Sequence, residues 1–134
     1  MTEDEKTSAR NEIAELMQRY ARASDFNDRE AYAMLYLEDG VLDLPDGQQH
    51  KGRDALRSTP KPQGVKRRHY FMPPVLEFGA DGEATGHGYC VVFNFDEATN
   101  KAGPPRSIDY QTTYRHTAEG WRIANHRVRP SFGG

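Results

Sequence analysis

The sequence predicts an α+β fold, in which helices at the start of the chain cover one face of a strongly curved antiparallel sheet. Residues 13–28 carry apolar side chains at helical spacing, whereas residues beyond 68 alternate between apolar and polar types. Turn signals at 80–82 and 119–120 separate the later segments into hairpins. A length of 134 residues suits one domain, so we predict a single domain over residues 1–134.

The first predicted helix buries one face and ends in acidic residues. Its small and apolar residues recur every three or four positions: Ile13, Leu16, Met17, Tyr20, Ala21 and Ser24. Asp25 follows on the same stripe, so the buried face ends in a carboxylate, and a buried carboxylate needs a partner. Thr7 or Ser8 is the expected N-cap of this helix.

A second, short helix is predicted over 29–37, capped by Asp28 and with Ala31, Leu35 and Tyr36 on its inner face. A brief strand at 41–44 follows, which the turn at 45–47 ends. One or two helical turns at 52–58 then lead into a loop at 60–64.

The remaining segments read as strands. An extended segment at 68–78 is bent by two prolines, and strands at 85–95, 107–116 and 121–128 precede a tail at 130–134. Period-two alternation puts one set of side chains of the first long strand on a common face: His87, Tyr89, Val91, Phe93 and Phe95. In the next strand the shared face carries Ile108, Tyr110, Thr112 and Tyr114.

Composition limits the partners and the location of the protein. The 18 basic and 20 acidic residues give a net charge of −2, so we expect neither nucleic acid nor an anionic membrane as a partner. The basic run at 61–68 is interpreted as a solvated loop. A polar start, the absence of a long apolar run and one cysteine, Cys90, predicted to be buried, favour a cytoplasmic protein.

Function is expected in a cavity between the bent sheet and the helices, where a small-molecule ligand would bind. The five histidines include no pair at HxxxH or HxH spacing, so we predict no metal site. Glycine-rich phosphate loops and serine nucleophile elbows are also absent from the sequence. We therefore predict no cofactor.

Five short motifs together resemble the nuclear transport factor 2-like superfamily, and within it the SnoaL-like branch. They occur in the order and at about the spacing found in that family: RYARASDFND at 19–28, YLEDGVLDLPDG at 36–47, KGRDAL at 51–56, RRHY at 67–70 and EGWRIANHRV at 119–128. The resemblance implies a cone-shaped α+β barrel. Because this fold hosts many activities, the fold alone does not imply one.

Scytalone dehydratase and lindane dehydrochlorinase, two enzymes of the superfamily, carry a catalytic Asp after the first helix and a catalytic His on a later strand. Asp25 and His69 stand at the matching positions. A carboxylate fixes the tautomer of an imidazole, whose free nitrogen can then remove a proton from carbon. From residue type alone, a solvent-exposed helix end and strand end remain the alternative.

The predicted substrate-binding residues are polar groups on otherwise apolar faces and positions that match relatives: Tyr20, Tyr36, Asn94, Tyr110, Thr112 and Arg127. The tyrosines are equally compatible with core positions in which the hydroxyl is satisfied. At the last strand, His126 is the alternative to Arg127. Asp43, one residue from the position matching the base of ketosteroid isomerase, is expected to point away from the pocket.

Two functions follow from the resemblance. The first is a cofactor-independent lyase or isomerase that uses the Asp25–His69 dyad on a small, apolar organic substrate. The second is a non-catalytic ligand-binding or accessory domain, similar to the beta subunits of ring-hydroxylating dioxygenases. We expect a homo-oligomer, a dimer or trimer, with the apolar faces of 85–95 and 107–116 as the interface.

Overall fold

The computed structural model describes residues 1–132 and contains three helices and seven strands over that range. The helices are α1 (Glu3–Asp25), α2 (Arg29–Met34) and α3 (Arg53–Arg57). The strands are β1 (Tyr36–Asp43), β2 (Gln49–Lys51), β3 (Val65–Phe71), β4 (Val75–Phe78), β5 (Glu83–Asp96), β6 (Arg106–Thr117) and β7 (Gly120–Pro130). Of the predicted tail, residues 133–134 lie outside the described residues.

Helix α1 begins earlier than predicted. Thr2 is the N-cap, and a capping box joins it to Glu5: the Thr2 hydroxyl accepts from the Glu5 amide, and the Glu5 carboxylate accepts from the Thr2 amide. Three acidic residues in the first turn complement the helix dipole. The prediction of Thr7 or Ser8 as the cap was wrong because this earlier polar stretch is itself a strong start signal.

The predicted apolar face of α1 is confirmed. Seven of its residues are buried, including Ile13 and Met17 at the centre of the core. Ser24, the residue before the last helical residue Asp25, is only half-buried, because it lines the cavity described below. The helix therefore anchors the fold with its middle and exposes its last turn to that cavity.

Helix α2 is shorter than predicted and turns a different face inward. It ends at Met34, and its buried residues are Tyr32 and Ala33, whereas Ala31 is exposed. Tyr36 is buried and Leu35 partly buried, as expected, although Tyr36 belongs to β1, which begins five residues earlier than predicted; of the expected inner face only Ala31 was wrong.

The sheet is mixed rather than purely antiparallel. Its strand order is β2-β1-β7-β6-β5-β3, with β4 also paired to β5, and β1 runs parallel to β7. The remaining pairs are antiparallel, and all of them except β3–β5 join strands that follow each other in the chain. Because β1 enters from the helical layer and not from a hairpin, its direction is set by α2. The curved sheet is open because its end strands, β2 and β3, do not pair with each other.

The two faces of β5 have opposite environments. Cys90 and Val92 lie on the buried inner face, which confirms the prediction for Cys90, whereas Tyr89 and His87 are exposed on the outer face. Gly88 lies under the ring of Tyr110: a Cβ there would lie 2.5 Å from the tyrosine oxygen. The absence of a side chain therefore lets a large ring pack flat against the curved sheet.

Candidate active site

A cavity of about 450 Å³ opens between the end of α1, the loop after α3 and the inner face of the sheet. Its wall is largely apolar and comes from several strands: Leu42, Leu44, Val65, Phe71, Val92, Ile108 and Val128. Polar and charged side chains make up most of the remaining lining, among them Asp25, His69 and Arg67. A cavity of this size and composition suits a small organic molecule.

Asp25 and His69 are in direct contact at the cavity wall. The Nδ1 atom of His69 lies 2.6 Å from Oδ1 of Asp25, and the backbone amide of His69 donates to Oδ2 at 3.1 Å. Their side chains are 6% exposed for Asp25 and 15% for His69. One carboxylate therefore holds both the backbone and the imidazole of the same residue.

The position of β3 explains this contact. As an edge strand, β3 presents unpaired backbone groups toward α1. Asp25 accepts from the amide of His69, and Gln18, seven residues earlier, donates to the carbonyl of Phe71 at 3.1 Å. Seven residues are close to two helical turns, so both side chains project from one face of α1. Helix α1 thus closes the sheet edge with side chains.

The contact fixes the tautomer of His69. Both oxygens of the Asp25 carboxylate accept, so Nδ1 of His69 carries the proton that it donates. The Nε2 atom is then an acceptor, and within residues 1–132 no hydrogen bond occupies it. Since His69 lines the cavity, the imidazole offers its unprotonated nitrogen to a bound molecule.

A cluster of three tyrosine hydroxyls lies beside the dyad. The Tyr20 and Tyr32 oxygens are 2.9 Å apart, and Tyr36 lies 3.2 Å from Tyr32 and 3.4 Å from Tyr20. Burial raises the pKa of all three phenols. The hydroxyls therefore stay protonated, and those of the cavity-lining Tyr20 and Tyr32 act as hydrogen-bond donors.

His126 supplies a second imidazole from the opposite side, on β7. It is 1% exposed, and its Nδ1 lies 2.7 Å from the Thr112 hydroxyl. Burial, and to a lesser degree the nearby His69, lower its pKa to about 3. His126 is therefore a neutral, fixed part of the cavity wall, packed against Tyr20 with ring centroids 4.8 Å apart.

The structure separates the predicted binding residues into two groups. Tyr20 lines the cavity, whereas Tyr36 is fully buried behind it in the tyrosine cluster. Tyr110 and Thr112 are buried as well, and their hydroxyls bond the carbonyl of Met72 and the ring of His126. Neither of the latter two reaches the cavity surface, because both hydroxyls are already engaged inside the core.

Two further predicted residues lie elsewhere. Arg127 is exposed on the outer face of β7, so its assignment to the pocket was wrong; period-two alternation gives the inner position to His126. Asn94 is on the inner side of β5 but does not line the cavity. Asp43 points away and pairs with Arg129 at 3.1 Å, as expected.

Three cavity residues were missed from the sequence. Tyr32 stands four residues before Tyr36, a spacing that could have linked the two tyrosines. Arg67 lies two residues before His69 on β3, so alternation places both on the inner face. Arg106 begins β6 at the cavity mouth. The solvated-loop interpretation of 61–68 was wrong from Val65 onward, where β3 begins.

Other chemistry has little support in the described part of the chain. No group of three or more His, Cys, Asp or Glu side chains in residues 1–132 is arranged to hold a metal ion. Burial raises the pKa of the Cys90 thiol to about 12, so it stays protonated. None of the helices in the same range is long and apolar enough to traverse a bilayer.

Helices packed on a curved, open sheet, with a cavity between them, define the nuclear transport factor 2-like class of α+β proteins. The chain belongs to the SnoaL-like domain family, whose model matches residues 5–127. No curated protein matches the chain.

Solved structures share this architecture. An NTF2-like protein with a cystatin-like fold from Novosphingobium aromaticivorans is 27% identical, with a TM-score of 0.83 over 97% of this chain and 86% of that one. A Mycobacterium tuberculosis protein of unknown function is 29% identical, with a TM-score of 0.82 over 96% and 75%. A hexachlorocyclohexane dehydrochlorinase shares the fold at 14% identity, with a TM-score of 0.82 over 98% and 90%.

Proposed function

We propose that this protein is a cofactor-independent enzyme of the lyase or isomerase type, in which His69 removes a proton from a carbon of a small organic substrate. The observation that carries the proposal is the double contact of Asp25 with His69 at the wall of a largely apolar cavity. It supplies a base held in one orientation, next to a space that a substrate can fill.

The chemical step follows from the tautomer. Nε2 of His69 takes the proton, and the electron pair of the broken C–H bond forms a C=C bond. In an elimination, the bond from the neighbouring carbon to the leaving group breaks and its pair departs with that group. In an isomerisation, the π pair of an adjacent carbonyl moves onto its oxygen, which gives an enolate, and His69 returns the proton to another carbon. The imidazolium that forms is stabilised by the Asp25 carboxylate at 2.6 Å.

The tyrosine cluster is assigned to the negative charge that develops in this step. Tyr20 and Tyr32 line the cavity and are protonated, and donors fixed in an apolar site stabilise a forming oxyanion more strongly than water does. Tyr36 holds the other two in place from behind. Because the three bonds within the cluster use all three hydroxyl protons, the Tyr20 or Tyr32 hydroxyl turns its proton from the cluster toward the forming charge.

The test uses a panel of small carbon acids in deuterated water, with deuterium incorporation or elimination followed by NMR. His69→Gln and Asp25→Asn are expected to lower strongly the turnover of any substrate that the native protein converts, without loss of the folded state by circular dichroism. His87→Gln, a change at an exposed histidine on the outer face, is the matched control. Retained activity in both dyad variants would refute the mechanism.

The alternative is a non-catalytic ligand-binding or accessory domain that acts through assembly. Exposed apolar side chains on the outer sheet face favour it: Tyr89 is 63% exposed and Tyr70 53%. The β6 face predicted as an interface is wrong, since Tyr110 and Tyr114 are buried in the core. Light scattering measures the oligomeric state. A monomer would argue against this alternative, whereas a dimer or trimer that Tyr89→Lys disrupts would support it.

A further inference from the structure

The charged residues of the cavity are almost all of one sign. Asp25 is its single acidic lining residue, and its carboxylate is already held by His69. Five lining residues are basic: Arg29, Lys61, Lys66, Arg67 and Arg106. The chain as a whole carries more acidic than basic residues, so this local excess of positive charge is a property of the cavity and not of the composition.

Two of these cations, Arg67 and Arg106, lie near His69 in the sheet. In the register, His69 lies opposite Val92, and Val92 lies opposite Arg106, so one row of the inner face runs from the imidazole to Arg106 across β5. Neighbouring strands are about 4.8 Å apart, which separates the two backbones by roughly 10 Å. Arg67 lies two residues from His69 along β3, roughly 7 Å away. Long arginine side chains can span both intervals.

The same two arginines form no ion pair within the described residues. Within residues 1–132, neither Arg67 nor Arg106 lies within 4.0 Å of a carboxylate, and the buried Nε atom of Arg67 has no hydrogen-bond partner. Burial lowers the pKa of Arg67, the charge of Arg106 lowers it further, and the charge of Asp25, beyond ion-pair distance, offsets this only in part. A partly buried cation that faces a second cation is unfavourable unless an anion lies between them.

The neighbouring row of the sheet contains a second buried polar atom that has no hydrogen-bond partner. Arg67 pairs in register with Asn94, and the Oδ1 atom of Asn94 is also buried without a hydrogen-bond partner in the described structure. An orphaned donor and an orphaned acceptor in one row are costly, because each has lost its hydration without a replacement bond. Asn94 does not line the cavity, so only the Arg67 donor is available to a bound anion, whereas the cavity wall at Phe71 and Ile108 is apolar.

From this arrangement we infer that the substrate is a small organic acid, whose carboxylate is held by Arg67 and Arg106 while its apolar body lies against Phe71 and Ile108. The inference rests on the proposed function and names its substrate class. Guanidinium groups match the planar, two-oxygen geometry of a carboxylate. Anchored between the two arginines, the acid presents its carbon chain to Nε2 of His69.

Binding tests the inference without any need for turnover. Isothermal titration calorimetry compares three acids, 2-naphthoate, trans-cinnamate and octanoate, with the corresponding neutral amides. At low ionic strength at least one acid is expected to bind at least tenfold more tightly than its amide. Arg67→Gln with Arg106→Gln should remove that preference, whereas Arg127→Gln, which changes an exposed arginine of the outer face, should keep it.

The controls separate this inference from the catalytic one. His69→Gln should keep the preference for the acid. The binding result can therefore be interpreted even if the dyad mechanism is wrong. If every acid binds no more tightly than its amide, or if no acid binds, the inference is overturned. It is equally overturned if the double arginine variant, shown to be folded by its thermal melt, retains the tenfold preference.

Discussion

The two histidines of the cavity, His69 on β3 and His126 on β7, show how surroundings divide the roles of identical side chains. His69 stands at an open sheet edge, is held by a carboxylate and remains 15% exposed. His126 is 1% exposed, in the middle of the sheet, and its partner is the Thr112 hydroxyl. A base needs a counter-charge and access to a substrate, and only His69 has both.

The largest expected effect is the difference in activity between variants of the two histidines. His69→Gln should reduce turnover by roughly 10² to 10⁴-fold, the usual worth of a positioned base. His126→Asn should reduce it far less, because a neutral, buried imidazole takes no proton. The ratio of initial rates on one converted substrate measures the difference, and equal losses in the two variants would show that the division of roles is wrong.

Removing the partner of His126 should affect stability rather than chemistry. In Thr112→Val, Nδ1 of His126 loses its 2.7 Å hydrogen bond in the fully buried interior. The expected decrease in the free energy of unfolding is about 1–3 kcal/mol, the cost of one unsatisfied buried polar group. Urea denaturation measures it. Thr113→Val, the neighbouring position on the other face of β6, is the matched control.

The depressed pKa of His126 predicts a pH dependence of stability. Between about 6.5, the ordinary value, and about 3, the unfolded chain binds a proton that the folded chain does not. Stability is therefore complete above pH 6.5 and is lost as the pH falls. From pH 6.5 to 5 the loss from this residue is about 1–2 kcal/mol.

His126→Asn should flatten that part of the stability profile by this amount, measured by urea denaturation at the two pH values. His87→Asn, at an exposed position, should leave the slope unchanged. An unaltered slope in His126→Asn would mean that the buried imidazole accepts a proton in the folded state.

The smallest expected effects test the role of the tyrosine cluster. Tyr36→Phe and Tyr32→Phe each remove one hydroxyl from the cluster, and each should cost about 1 kcal/mol of unfolding free energy. Because Tyr32 lines the cavity and Tyr36 does not, the Tyr32 change alone should lower kcat substantially. Thermal melts and rate measurements on both variants separate the effect on stability from the effect on activity. Equal kcat values in Tyr32→Phe and Tyr36→Phe would show that Tyr32 does not stabilise the oxyanion.

Much of the fold could be predicted from periodicity. The three- and four-residue spacing of α1 identified its buried face and placed Asp25 at the end of that face. Alternation gave the long strands β5 to β7. The parallel pairing of β1 with β7 could not be predicted, because it depends on how α2 delivers the chain to the sheet, and no local pattern records that direction.

The candidate site was harder to predict from the sequence than the fold. Asp25 and His69 came from family positions, and their partnership depends on an edge strand that only the assembled sheet defines. Arg67 was hidden in a basic run, where alternation between inner and outer faces leaves no hydrophobic trace. At the last strand, residue types did not distinguish His126 from Arg127, since that choice depends on a one-residue register.

The account depends most on the protonation of His69, which nitrogen-15 NMR of the histidine rings measures directly in the native protein. We predict a ring with its proton on Nδ1 toward Asp25 and an unprotonated Nε2 facing the cavity. In Asp25→Asn this tautomer should no longer be the single species. A native ring that carries its proton on Nε2 would contradict the proposed chemistry, because no free base would then face the substrate.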